Sequence, residues 1–348
     1  MTHALSGALL GRLMTRAPDT AAQPRVWQAV LAGGLSAAFP DSDFVLGYVS
    51  DLAYLQGHRG VTHSVLLLPL WALLLAALMP RLLRARQAGW RAFYGVACGG
   101  IAIHILGDLI TQFGTMILAP LSDRRFGWGT TFIIDLPLTG LLLAGLVVSA
   151  LMPRSRLPSL AALLAMVAWV GVGALGKAEA LDAARQHARD AGIEARSIDA
   201  IPRPASPFNW TAVIDDGERF HVAHINTRRQ AVALASPEDG FLARLSSHYR
   251  PVTHAQWMVR ARFGDADDAV FARRAWHAPD LAVFRWFAQF PVLESVVHIA
   301  GARCAAFRDL RFETPGRDGT PFRYGMCESP AGWQRVTLSG AGVAPPSR

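Results

Sequence analysis

Four long apolar runs crowd between residues 64 and 176, and they restrict what this chain can fold into more than any other feature. They are Ser64–Met79, Ala92–Leu109, Leu136–Met152 and Ser159–Gly176. A membrane-spanning helix needs about 20 apolar residues, with ~17 as the short limit, because each residue rises only ~1.5 Å through a core of roughly 30 Å. All four runs are expected to span, the first only narrowly. Nothing comparable follows residue 176. The expected architecture is mainly α: a polytopic helical membrane domain over 1–177, a connecting helix and linker over 178–207, and a small soluble α+β domain over 208–348.

Two shorter helices are expected ahead of the runs. Val26–Phe39 is apolar but only fourteen residues long, which suits a re-entrant or interfacial helix. The first helix, around His3–Met14, carries Gly7 and Gly11 in the G-x-x-x-G spacing that lets another helix approach closely. Its apolar stretch is short and interrupted and has no basic region before it, so it reads as part of the mature fold rather than a signal peptide.

Arginine placement sets orientation. Pro80 closes the first run, and Arg81, Arg84, Arg86 and Arg91 follow; the third is followed by Pro153, Arg154 and Arg156. Both loops are short and free of Asp and Glu, which makes their side cytoplasmic by the positive-inside rule. The other ends of the four runs, and the tail, then lie on the outer, periplasmic face of an inner membrane. The net charge of +8, from 34 Lys+Arg against 26 Asp+Glu, is scattered over such loops. It forms no basic patch interleaved with aromatics, so a nucleic-acid partner is not expected.

In the tail, "KAEALDAARQHARDAG" continues as a helix, and "IPRPASPFNW" reads as a linker or turn. "WTAVID", "RFHVAHIN", "CAAFRDLRFE", "FRYGMCE" and "WQRVTLS" read as strands, and residues 265–290 as helix interrupted by Pro279. Cys304 and Cys327 fall on two of these strands, either bridged in an oxidising compartment or packed as small buried groups. Cys98 lies in an apolar run, and no Cys-x-x-Cys or Cys–His zinc spacing exists, so any metal here must use histidine and carboxylate.

Such residues gather on the expected outer face. They are His3, Asp41 and Asp43 in "FPDSD", His58 and His63 in "HRGVTHS", His104 and Asp108 in "HILGD", and Asp135 in "FIIDLP". His104 and Asp108 are four residues apart and share one helix face. Ionisable groups in a membrane helix need partners, and a divalent metal is one; the donor set suits zinc, with manganese the alternative. The bland readings are an interfacial histidine, a capping Asp-x-Asp turn and a snorkelling Arg59. The combination outweighs them because buried charges require one another.

The segments "MTHALSG", "FPDSD", "HRGVTHS", "HILGDLIT" and "FGTMILAPLSDRRFG" together resemble the YdjM-type family of membrane-bound, metal-dependent hydrolases, over roughly residues 1–177. "SPFNW" and "FRDLRF" look like tails seen on longer members, and the motif order is distantly similar to zinc-dependent phospholipase C. The resemblance implies a hydrolase of undefined substrate. Carried over by motif, it implies His3, Asp41, Asp43, His58, His63, His104 and Asp108 as metal residues.

The expected reaction is hydrolysis of a lipid or lipid-linked ester, above all a phosphoester. Asp43 or Asp108 would accept the proton, and Arg59, with Arg124 or Arg125 behind it, would neutralise phosphate. Thr62 and Ser64 are expected as supporting donors. No Gly-x-Ser-x-Gly elbow, P-loop or Rossmann fingerprint is present. The rival readings are a membrane-anchored binding or regulatory module with a structural metal, and a metal or proton transporter.

Overall fold

A computed structural model describes residues 1–15, 22–85, 87–299, 301–317, 319–330, 332–339 and 342–344. Arg86, counted above among the loop cations, lies outside them. The chain divides into two compact units, Met1–Leu175 and Gly176–Arg348.

The first unit is helical: α1 (Thr2–Met14), α2 (Val26–Ala38), α3 (Asp51–Gly57), α4 (Leu68–Leu82), α5 (Arg91–Leu109), α6 (Leu136–Leu151) and the first part of α7 (Leu157–Asp190). Small residues set its closest packing. A side chain at Gly7 or Gly11 would overlap Gly33, Ala29 and Ala37 of α2, so α1 and α2 touch backbone to backbone. Leu9, Leu138, Leu142 and Leu163 close the core among α1, α6 and α7, while Ala72, Ala97, Ile101 and Ile105 join α4 to α5. Leucines at 70, 74, 78, 143, 160 and 164 remain exposed on the outside, as a lipid-facing surface requires.

Two of the four apolar runs expected to span form helices of full length. Among the described residues these two, α5 and α7, are long and apolar enough to cross a membrane, and up to four spans result if each of two bent pairs is one span. The pairs are Val26–Ala38 with Pro40–Tyr48, bent by 42°, and Asp51–His63 with Leu68–Leu82, bent by 77°. The first run loses its opening residues to a loop: Val65 N–H donates to the Ile117 carbonyl and the Ser64 hydroxyl to that of Ala119. Helix α4 therefore begins only at Leu68, beside Pro69, and continues through Pro80, which does not stop it. A proline in the last turn forfeits little, because few helical bonds remain beyond it. Helix α6 has only 16 residues.

The second unit carries two five-stranded sheets. In the first, β1 (Ser197–Pro202), β2 (Asn209–Asp215) and β3 (Arg219–Asn226) run antiparallel, and β3 also pairs with β4 (Arg250–Pro251) and β5 (Met258–Ala261). Residues 197–202, expected within a linker, are thus a strand: Ala200 and Ile201 are buried and the stretch pairs along its length with β2. Ala180, Ala184 and Ala188 of α7 pack on Ala200, Trp210, Ala212 and Ile214. After α8 (Phe241–Ser247), α9 (Ala266–Trp276) and α10 (Ala282–Phe287), the second sheet follows in the order β10–β9–β8–β7–β6. Its strands are β6 (Pro291–Ile299), β7 (Ala302–Asp309), β8 (Tyr324–Ser329), β9 (Gly332–Ser339) and β10 (Gly342–Ala344). Cys304 and Cys327 face one another in the β7–β8 register and form a disulfide, and Cys98 is free.

Candidate metal centre

The centre grows from three breaks in the helical chain. Pro40 turns α2 into a short 3-10 stretch, Pro40–Tyr48, whose first turn holds Asp41 and Asp43. Helix α3 ends at an extended His58, and a 3-10 turn, Val61–His63, aims His63 inward. Between them Arg59 adopts a positive φ of 60°, a conformation that a non-glycine residue with a bulky side chain rarely takes. Its backbone is held on both sides: its N–H donates to Asp43 Oδ2 at 2.9 Å and its carbonyl accepts from Met116 N at 2.8 Å. His104 and Asp108 come from the last turns of α5, on one face.

Four groups converge. One ligand atom each from Asp41, His63, His104 and Asp108 lies within 4.8 Å of all the others. His63 Nε2 is 3.0 Å from Asp108 Oδ2 and 3.0 Å from His104 Nε2, and His104 Nε2 is 3.4 Å from Asp108 Oδ2. Asp41 Oδ1 stands 3.8 and 3.6 Å from the two histidines. His63, His104 and Asp108 are wholly buried, whereas the Asp41 side chain is 48 % exposed.

The hydrogen bonds around the imidazoles show that this set fits a cation. His104 Nδ1 is 2.6 Å from the Ala37 carbonyl, which can only accept, so Nδ1 carries the hydrogen and Nε2 points a lone pair inward. His63 Nδ1 lies 2.9 Å from Thr62 Oγ1, and Thr62 donates its own hydrogen to Asp43 Oδ2. His63 Nε2 is then bare as well. Two lone pairs 3.0 Å apart repel unless a positive ion sits between them. Both Asp108 carboxylate oxygens are buried without accepting a well-formed hydrogen bond, although cationic partners stand near, as metal-ligating oxygens do.

The other expected residues stand one layer out. Asp43 sits behind His63: it accepts from His58 Nδ1 at 2.6 Å, from the Arg59 N–H and from Thr62, and lies 3.4 Å from His63 Nδ1. This is the carboxylate–imidazole–metal arrangement that orients a ligand and raises its basicity. His3 lies over His104, rings 4.1 Å apart, with Nε2 3.3 Å from Asp108 Oδ1. Gly107 admits it, since a Cβ there would come within 2.8 Å of the His3 ring. Arg59 does not snorkel: it is 4 % exposed, with Nη2 3.0 Å from Asp108 Oδ1 and Nη1 donating to Thr111. Asp135 caps α6 and accepts from Trp169 Nε1 at 2.9 Å, outside the group of four. Arg125 donates to the carbonyls of Leu55, His58 and Gly114, and Arg124 lies over Phe126. Ser64 braces the loop as described.

A cavity of about 640 Å³ opens onto this centre. Asp41, His58, Arg59 and His3 line one part of it, and Ile103, Leu106, Met166, Val167 and Val170 form an apolar wall. Tyr54 also lines it and stacks on His58 at 4.4 Å. Sequence reading missed Tyr54, although its spacing four residues before His58 was a signal. The Ala37 carbonyl, which fixes His104, had none.

The model of the YdjM inner membrane protein family matches residues 1–180. Over 135 residues the chain is 27 % identical to "Uncharacterized protein YfhP" of Bacillus subtilis (strain 168), a stretch covering 38 % of this chain and 41 % of that protein. The match thus spans about two fifths of that relative's length. No solved structure matches the chain.

Proposed function

The chain belongs to the YdjM inner membrane protein family, and from that membership and the geometry of the centre we propose that it is a membrane-bound, metal-dependent hydrolase. Its substrate in this reading is a lipid or lipid-linked ester, above all a phosphoester, taken at the membrane interface. One observation carries the proposal: the four-residue group is not sealed, because Asp41 opens it to a cavity that is polar at the centre and apolar along the helices. A structural zinc site is closed by four protein ligands, whereas here three are buried and the fourth, Asp41, faces the cavity, the side from which water and substrate would reach the ion and take its place.

Asp41, His63, His104 and Asp108 would hold the ion, zinc or else manganese. A divalent ion there supplies Lewis-acid activation of water and of the ester oxygen. Arg59 holds Asp108 in place and, at the cavity wall, offers guanidinium N–H groups to an anionic oxygen of the substrate. Asp43 reaches the cavity through His58: it fixes Nδ1–H and leaves Nε2 of that ring to accept a proton. His3 steadies Asp108 and His104 from the cavity side.

We place the centre and the second unit on the periplasmic side of a multi-pass protein. The arginine-rich loops support this orientation, and so does the Cys304–Cys327 disulfide, since such bonds persist in oxidising compartments.

The test is metal analysis of the purified full chain, followed by a screen of phospholipids and lipid phosphates for hydrolysis. The expected result is about one bound ion or more and turnover of one such ester, both lost in His104→Ala and Asp108→Ala. Bound metal with no turnover of any ester would favour the membrane-anchored binding module instead.

A further inference from the structure

We propose that the second unit contains an oxyanion-binding site, separate from the metal centre, that takes a phosphate-type group. The site is a cavity of about 350 Å³, near the lower end of ordinary ligand pockets. His224, His248, Arg250, Arg260 and Glu313 line it. Among the described residues neither Arg250 nor Arg260 has a carboxylate within salt-bridge distance; Arg260 reaches only Met258 Sδ, at 3.8 Å. The wall's own carboxylate, Glu313, is held by Arg308 at 3.2 Å. The charge balance of the cavity is therefore positive.

Beneath the wall lies a buried cation. Arg203 is 2 % exposed, and its N–H groups go to neutral acceptors: Nε to Thr211 Oγ1 at 2.6 Å, Nη1 to the Arg311 carbonyl and Nη2 to that of Leu310, both at 3.0 Å. A buried guanidinium bonded to neutral acceptors, with the Glu313 and Asp309 carboxylates acting on it only from beyond salt-bridge distance, leaves part of its field for whatever enters next to it. The same contacts place an imidazole at the cavity. Thr211 Oγ1 accepts from Arg203 Nε and lies 2.9 Å from His224 Nδ1; a hydrogen given to that nitrogen leaves His224 with its own on Nε2. Burial, with the Arg203 charge, holds that imidazole down at about 3, so it is neutral at physiological pH.

The backbone carrying the other side chains is itself clamped. Arg229 donates to the carbonyls of Ser246 and Tyr249, on either side of His248 and next to Arg250. Two forked guanidiniums, an N–H imidazole and an underlying positive charge suit a tetrahedral oxyanion.

Binding of inorganic phosphate to the full chain in detergent, measured by calorimetry, tests this. Binding should persist in chelator, where the metal centre holds no ion, which separates this site from the metal centre. The double variant Arg250→Gln, Arg260→Gln should lose affinity by roughly tenfold or more, as removing charged hydrogen bonds implies. Arg260→Lys should retain most of it, which shows that the loss is not misfolding. Competition by phosphatidylglycerol nanodiscs, set against glycerol phosphate, distinguishes a lipid headgroup from a soluble source. Equal affinity in wild type and the double variant, or loss of binding in chelator, would overturn the proposal.

Discussion

A histidine offers a metal only the nitrogen that its other hydrogen bond leaves bare. The residues that set that bond should therefore matter almost as much as the ligands. Asp43→Asn keeps the shape of the site but weakens the anchor behind His63, and should lower metal affinity by about 10–100-fold in a chelator competition, with the fold unchanged. His104→Ala removes a ligand and should abolish tight binding. Gly107→Val places a branched side chain where the His3 ring lies, so it should displace His3 without disturbing the group of four. The expected outcome is retained metal with altered turnover. Loss of metal in this variant would mean that His3 is itself a ligand.

At the level of elements, the α1–α2 seam makes a direct test of the glycine spacing. Gly33→Leu forces apart backbones that now touch, and overpacking of this kind costs roughly 1–3 kcal/mol, read as a lower melting temperature in detergent. The G-x-x-x-G pattern was visible in α1, but its partner face on α2, Ala29, Gly33 and Ala37, emerges only when the helices meet. Apolar length located α5 and α7 well, because their periodicity runs uninterrupted. It misjudged α4, because a hydropathy pattern cannot tell a helical Ser64–Leu67 from one tied by hydrogen bonds to residues 117–119. In the second unit, β6 was missed although Val292, Val296, Val297 and Ile299 carry strand chemistry, and β1 was hidden among prolines. Within the site, residue types and spacing pointed to Asp41, His63, His104 and Asp108, but not to Tyr54 or to the Ala37 carbonyl. The division into four converging groups and three behind them depends on distances that no spacing encodes.

For the whole molecule, orientation and oxidation state can be read independently. Reporter fusions after Gly89 and Gly240 should report opposite sides of the membrane, and matching signals would defeat the proposed orientation. Thiol labelling of the unfolded, unreduced chain should find one reactive thiol, Cys98; three would remove the disulfide as support for a periplasmic second unit. The metal group has a further consequence, for folding. Asp41, His63 and His104 come from separate segments, so one ion shared among them ties off two loops of roughly 20 and roughly 40 residues, as a cross-link would. An unfolded chain cannot present those ligands together, so the ion favours the folded state by mass action, by about 1.4 kcal/mol for each tenfold rise in free metal above the dissociation constant. The melting temperature should therefore climb with the logarithm of free metal and fall in chelator, with that slope flattened in His104→Ala. Comparing the free concentrations of zinc and of manganese at which the climb begins would then rank the two ions without any substrate in hand.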